Sequence, residues 1–93
     1  YKIDTEALFK NISNCSGDSF ALKNHGLKSI VQDNYPNLAF SVKYAQKDLS
    51  YALEMANQME LSTPGSTTIN NLFTKAIDEG YGDHYFPVIK KIL

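Results

Sequence analysis

The stretch FSVKYAQKDLSYALEMANQM, residues 40–59, decides the fold. Its apolar residues recur every three or four positions, which is the spacing that places side chains on one face of a helix. These residues are Ala45, Leu49, Ala52, Leu53, Ala56 and Met59. The pattern therefore predicts one long helix from about Ser41 to Met59.

Two helical segments precede this stretch. Asp4 is followed and preceded by apolar residues at the spacing of a hydrophobic staple, which predicts that Asp4 is the N-cap of a first helix. A second segment begins near Asp18 or Ser19. Gly26 is expected to break or kink it, because glycine destabilises the interior of a helix.

Two more helices follow the long one. Thr63 and Pro64 have the types preferred at an N-cap and at the first helical position, and Gly80 has the type preferred just after a helix end. The apolar residues between them match the helical template at every place: Ile69, Leu72, Phe73, Ala76 and Ile77. A short last helix carries Phe86 and Ile92. Since no run alternates convincingly with period two, the predicted fold is all-α, with five or six helices.

Composition limits the chain to one small domain. It has 93 residues, 43% of them hydrophobic, and a net charge of -1. No window approaches the ~20 apolar residues of a membrane span, so no membrane role is expected. The single cysteine, Cys15, fits a reducing compartment. All nine basic residues are lysine, and without arginine's bidentate fork or an excess of positive charge no nucleic-acid partner is expected.

The motifs that would indicate chemistry within this chain are missing. The sequence contains neither GxGxxG nor GxxxxGK, so it holds no phosphate-binding glycine loop. His25 and His84 lie far apart and neither has a second ligand at metal-binding spacing, so no metal site is predicted. The chain holds no complete catalytic set.

Two lysines near the start of the long helix oppose local stability. Lys43 and Lys47 are four residues apart, and both lie at the positive end of the helix dipole. One interpretation is an anion site made of these lysines. The other is a solvated helix face, with Asp48 as a local counter-charge. Spacing alone leaves both open.

The phenylalanines divide into two groups. Phe9, Phe20, Phe73 and Phe86 lie on apolar stripes and are predicted to be core residues. Phe40 stands just before the long helix. It is equally suited to packing against that helix or to lining a pocket.

The long-helix stretch resembles the C-terminal domain of the 3-hydroxyisobutyrate dehydrogenase family, the β-hydroxyacid dehydrogenases. In that family a phenylalanine precedes Lys-Asp-Leu and a helix of the form x-x-Ala-Leu-Glu-x-Ala, and Phe40 and residues 47–56 match this pattern. Residues 16–22 resemble the family's Gly-Ser-Gly-x-Ser-Trp-Ala-Leu turn, and residues 76–83 resemble its Ala-x-x-x-Gly-x-Gly-Asp. Pro64 is a further match, which makes four. Along this chain the four matches occur in the same order as in the family. Tyr44-Ala45-Gln46 stands where the family has a more hydrophobic triplet.

This resemblance implies a fold and a domain organisation. The fold would be like that of the 6-phosphogluconate dehydrogenase C-terminal domain, incomplete at its N-terminus. Residues 1–93 would be a helical domain that closes over substrate and cofactor. The chain begins at Tyr1 rather than at methionine, and we expect it to be a fragment. The Rossmann domain and the first long helix, with the catalytic lysine, would precede it.

The resemblance also implies roles for three residues. Lys47 would reach the bound cofactor, NAD or NADP, and Asp48 would hold Lys47 and the catalytic lysine in place. Phe40 would line the substrate pocket. The parent protein would transfer a hydride between nicotinamide and a small 3-hydroxy acid or its semialdehyde. The fragment alone would be inert.

The resemblance also implies binding partners and a cellular location. Partners would be the small hydroxy acid or semialdehyde, the Rossmann domain of the same parent, and further copies in a homo-oligomer, in the cytoplasm. The alternative is a stand-alone helical interaction module without catalysis, in which Lys47 and Asp48 are surface charge.

Overall fold

The computed structural model describes residues 1–93, which form five helices and no strand. The helices are α1 (Thr5–Ser13), α2 (Leu22–Ile30), α3 (Val42–Gln58), α4 (Pro64–Asp78) and α5 (Phe86–Ile92). They belong to two compact units, Tyr1–Tyr35 and Pro36–Leu93. The predicted all-α class and helix number are confirmed.

In the first unit, α1 begins as its sequence predicts. Asp4 is the N-cap, and its Oδ1 accepts a hydrogen bond from the backbone N–H of Ala7 at 2.7 Å. One turn later the Lys10 ammonium lies 2.6 Å from the Glu6 carboxylate. The Glu6 hydrogen bond and charge raise the pKa of Lys10. α1 packs against α2.

Gly26 does not break the second helix, so the predicted break was wrong. α2 runs through it with the wide turns of a π-helix, and the N–H of Val31 donates to the Gly26 carbonyl at 2.9 Å. Gly26 is buried, and a Cβ at this position would lie 2.5 Å from Cε1 of Phe9. The glycine leaves room for the Phe9 ring of α1, and this packing contact maintains the helix where intrinsic propensity opposes it.

Phe20 also departs from prediction, because its side chain is 73% exposed. It stands in the short helical lead-in directly before Leu22, where α2 begins. Its ring meets the His25 ring edge-on at 5.8 Å between centroids. Phe73 is buried as predicted, whereas Phe9 and Phe86 are half-buried.

The second unit is built from α3, α4 and α5, each of which packs against the other two. Its buried apolar residues are Val42, Phe73, Ala76, Val88 and Ile92. The long helix matches the predicted bounds, with Ser41 as N-cap and Met59 as C-cap. Ala52 and Met59, however, are exposed. Met59 is the last residue of the predicted apolar stripe, and Ala52 lies between the half-buried Leu49 and Leu53.

The end of α4 shows how its sequence stops a helix. Gly80 follows the helix with φ of +91°, a conformation that favours glycine. The N–H of Tyr81 donates to the Ala76 carbonyl at 2.9 Å, and that of Gly80 donates to Ile77 at 3.0 Å. This is the Schellman arrangement, which satisfies carbonyls that a helix end leaves without partners. Thr63 is the N-cap and Pro64 the first residue, as predicted.

None of the five helices combines the length and the apolar character that crossing a membrane requires.

Candidate functional site

The start of α3 is fixed by backbone hydrogen bonds to a segment far along the chain. We refer to residues 36–41 as the strap and to residues 82–86 as the turn segment. The N–H of Tyr85 donates to the Pro36 carbonyl, and that of Phe86 donates to Phe40, both at 3.0 Å. In the other direction, Val42 N–H donates to the His84 carbonyl at 3.0 Å. These bonds hold the strap, and Phe40 with it, against the turn segment.

The same bonds decide what can bind at the helix N-terminus. Val42 N–H is taken by His84, and Lys43 N–H donates to the Gly82 carbonyl at 3.1 Å. Tyr44 N–H donates to the Ser41 hydroxyl at 3.3 Å. The backbone donors that usually bind an anion at a helix start are therefore occupied. Any anion held here must be bound by side chains.

Two open grooves adjoin at this helix start, each of about 310 Å³. The strap groove is lined by Asn37, Leu38, Ala39, Ser41, Tyr44 and Asp83. The lysine groove is lined by Ser41, Lys43, Tyr44, Lys47 and Asp83. Three residues line both grooves: Ser41, Tyr44 and Asp83. A ligand in one groove would thus share walls with a ligand in the other.

Lys47 is a half-exposed cation whose side chain is held in place. Its Nζ lies 3.2 Å from Oδ1 of Asp48, and 5.3 Å and 5.8 Å from the ring centroids of Tyr44 and Tyr51. These distances place the ammonium within cation–π range of both rings. The hydrogen bond to Asp48 and then its charge raise the pKa of Lys47. Lys47 is therefore protonated at neutral pH.

Lys43, one turn earlier, has a different partner. Its Nζ lies 2.9 Å from Oδ1 of Asp83, which is 40 residues away in sequence. Gly82 allows this approach, because a Cβ there would lie 2.8 Å from Cε of Lys43. Nothing in the spacing of the sequence marks Asp83 as the partner of Lys43. Both become neighbours only because the turn segment folds back onto α3.

Phe40 is 46% exposed and packs between two other rings. It meets Phe86 edge-on at 5.9 Å between centroids and stacks on Tyr44 at 6.4 Å, with 25° between the ring planes. The structure thus gathers Phe40, Lys47 and Asp48 around the first turns of α3. Sequence reasoning missed Tyr44, which contacts both Phe40 and Lys47. The one signal in the sequence was that Tyr44 belongs to the triplet, residues 44–46, that departs from the family resemblance.

Cys15 is an exposed free thiol in the first unit. No group of three histidine, cysteine or acidic side chains is arranged to hold a metal ion.

The chain is similar to proteins of one family. A family model described as "NAD-binding of NADP-dependent 3-hydroxyisobutyrate dehydrogenase" matches residues 1–91. Among solved structures, the chain resembles a 3-hydroxyisobutyrate dehydrogenase from Salmonella typhimurium with a TM-score of 0.88 and 24% identity. That similarity covers 99% of this chain and 32% of the Salmonella chain, so this chain spans about a third of that protein's length. At this identity the likeness establishes the fold alone. No curated protein sequence matches the chain.

Proposed function

Since this chain belongs to the 3-hydroxyisobutyrate dehydrogenase NAD-binding family, we propose that it is the helical closing domain of an NAD(P)-dependent oxidoreductase. The enzyme's substrate is a small 3-hydroxy acid or the corresponding semialdehyde. In this proposal, a Rossmann domain and a lysine that exchanges a proton with the substrate oxygen are supplied outside these 93 residues, so the chain alone is inert. The enzyme is a cytoplasmic homo-oligomer, as the resemblance implies.

The proposal is carried by the side-chain cluster at the start of α3. A nicotinamide dinucleotide is an anion with flat rings. The lysine groove offers a protonated ammonium beside an aromatic face, and Lys47 is about half-exposed and so accessible to a ligand. These residues fit the edge of a dinucleotide. They do not fit its pyrophosphate cradle, because the backbone N–H groups of the helix start are already paired.

Each of the three predicted residues has a defined task in this proposal. The Lys47 ammonium binds the anionic cofactor across the cleft, and Asp48, at 3.2 Å, orients that ammonium. Phe40 lines the substrate pocket and presents an apolar ring beside the strap groove. The cofactor, when bound, supplies or accepts the hydride. What these residues contribute is binding, orientation and the exclusion of water.

The experiment that tests this proposal compares two lysines one turn apart in the full-length protein. Binding of NADH and NADPH is measured by cofactor fluorescence for the wild type, Lys47→Ala and the matched control Lys43→Ala. We expect Lys47→Ala to weaken cofactor binding by about tenfold, the size of a lost charge-assisted contact. The control is expected to change it by less than about twofold. Asp83 holds the Lys43 ammonium against the turn segment at 2.9 Å, whereas the Lys47 ammonium lies beside two tyrosine rings on the helix face.

Activity is measured beside binding, by nicotinamide absorbance against a panel of small hydroxy acids and semialdehydes. Equal effects of the two substitutions would mean that Lys47 has no particular role in cofactor binding and belongs to a solvated helix face. A wild-type protein that neither binds nicotinamide cofactors nor turns over any panel member would refute the enzyme assignment and favour an interaction module.

A further inference from the structure

Tyr44 is the one side chain that contacts both the proposed pocket wall and the proposed cofactor-binding cation. Its ring stacks on Phe40 at 6.4 Å and lies 5.3 Å from Nζ of Lys47. It also lines both grooves. Tyr51, two turns further on, approaches Lys47 at 5.8 Å and lines neither groove.

The packing of Tyr44 gives no structural reason for a large aromatic residue at this position. Its side chain is 59% exposed, so it contributes little to the core of the second unit. What its ring does provide is a stacking partner for Phe40 and a face for the Lys47 ammonium. The backbone N–H of Tyr44 caps onto Ser41, and a substitution of the side chain leaves that hydrogen bond in place.

We propose that Tyr44 is a positioning residue, which links the orientation of Phe40 at the substrate to that of Lys47 at the cofactor. This inference rests on the function proposed above. Because one rigid ring makes both contacts, its loss removes one contact from each of two neighbouring side chains at once. Phe40 keeps its contact with Phe86, and Lys47 keeps Asp48 and Tyr51, so both side chains gain freedom but stay partly held. The ligand must then order these two side chains when it binds, and this entropic cost weakens its binding. The reacting atoms are untouched, so the chemical step keeps its rate.

The test is made in the full-length protein with three variants. Tyr44→Leu removes the ring, Tyr44→Phe keeps it and removes the hydroxyl, and Tyr51→Leu removes the other ring beside Lys47. We measure the cofactor Kd by fluorescence titration, and the substrate KM and kcat by nicotinamide absorbance. Tyr44→Leu is expected to raise both the cofactor Kd and the substrate KM by roughly two- to fivefold, the size of one exposed ring contact, with kcat unchanged.

The other two variants separate linkage from general damage. Tyr44→Phe is expected to stay within about 1.5-fold of the wild type in both constants, since it retains both ring contacts. Tyr51→Leu is expected to raise the cofactor Kd alone. The inference is overturned if Tyr44→Leu changes only one of the two constants or neither, or if Tyr44→Phe is as impaired as Tyr44→Leu. If the wild-type protein binds no nicotinamide cofactor, the proposed function itself is refuted. That outcome differs from the results above, in which the wild type binds the cofactor and only the role of Tyr44 is overturned.

Discussion

Lys47 and Lys43 stand one turn apart on the same helix, and each is bound to a carboxylate. Their distances are similar, 3.2 Å to Asp48 and 2.9 Å to Asp83, and all four side chains are at least half-exposed. The first partner is the next residue in sequence, whereas the second is 40 residues away. The local pair forms wherever the helix forms. The long-range pair forms only when the second unit is folded.

This difference separates two roles that composition alone cannot distinguish. Lys43 is used to tie the turn segment to α3, while Lys47 has a partner that leaves it on the helix face beside two tyrosine rings. Surface ion pairs of this kind contribute little to stability in general. Here the two pairs act mainly by positioning the lysine side chains, and this positioning depends on how firmly the start of α3 is held.

The largest expected effect loosens the helix start that carries both pairs. Val42 is fully buried at the start of α3, and Val42→Ala is expected to lower the free energy of unfolding by about 2 kcal/mol, because it leaves a cavity in the core of the second unit. Denaturant unfolding measures the change. Val31→Ala, at a half-buried position in the first unit, is the control and should cost less. Equal costs would mean that Val42 has no special place in the core.

An intermediate effect is expected from the helix cap. Ser41→Ala removes the hydroxyl that accepts from Tyr44 N–H and is expected to cost about 1 kcal/mol in the free energy of unfolding. Ser50→Ala, in the middle of the same helix, is the matched control. The exposed Ser50 hydroxyl donates to the Lys47 carbonyl, and alanine is the better helix former, so no loss is expected there. A similar loss at both positions would contradict the cap.

The smallest effect separates the two pairs from each other. Asp48→Asn is expected to lower the pKa of Lys47, because the Asp48 hydrogen bond and charge are what raise it. Since the raised pKa of Lys47 belongs to the folded state, the pair's stabilisation is present below the unfolded value of about 10.4 and is lost as pH rises through the folded pKa. The cost of Asp48→Asn should therefore be seen at pH 7 and vanish in alkali.

Two measurements check this last prediction. The pKa of Lys47 is followed by NMR titration of its Cε carbon, and unfolding is compared at neutral and alkaline pH. Asp83→Asn is the control, and it should leave the Lys47 titration as in the wild type. A control that moves the Lys47 titration as far as Asp48→Asn would show that the two pairs act as one network.

Much of the fold was accessible from sequence because its signals are local. The cap at Asp4, the Thr63–Pro64 start and the Gly80 stop each act within one helical turn, and all three are found where predicted. Gly26 was misjudged because the deciding contact, with the Phe9 ring, comes from another helix. The exposed ring of Phe20 shows that an apolar residue at a helix start need not face the neighbouring helix.

The contacts of the candidate site are likewise of two kinds, local ones that the sequence indicates and long-range ones that it does not. Lys47 and Asp48 are adjacent in sequence, and their pairing was foreseen as a counter-charge. Two other features depend on the turn segment: the Lys43–Asp83 pair, and the occupied backbone N–H groups at the helix start. No residue spacing in the sequence predicts either of them. The position of Tyr44 between Phe40 and Lys47 depends on where the strap is held, which is again a long-range matter.

The hydrogen bonds between the strap and the turn segment also set the order in which this region can assemble. Joining them closes a loop that contains all of α3 and α4, so the chain must lose the entropy of loop closure before any of these bonds can form. The amides of Val42, Lys43, Tyr85 and Phe86 should then exchange with solvent as one cooperative group, at the rate of the helical core. A ligand that binds at the start of α3 would consequently slow exchange in the last helix, although that helix lies at the other end of the second unit's sequence.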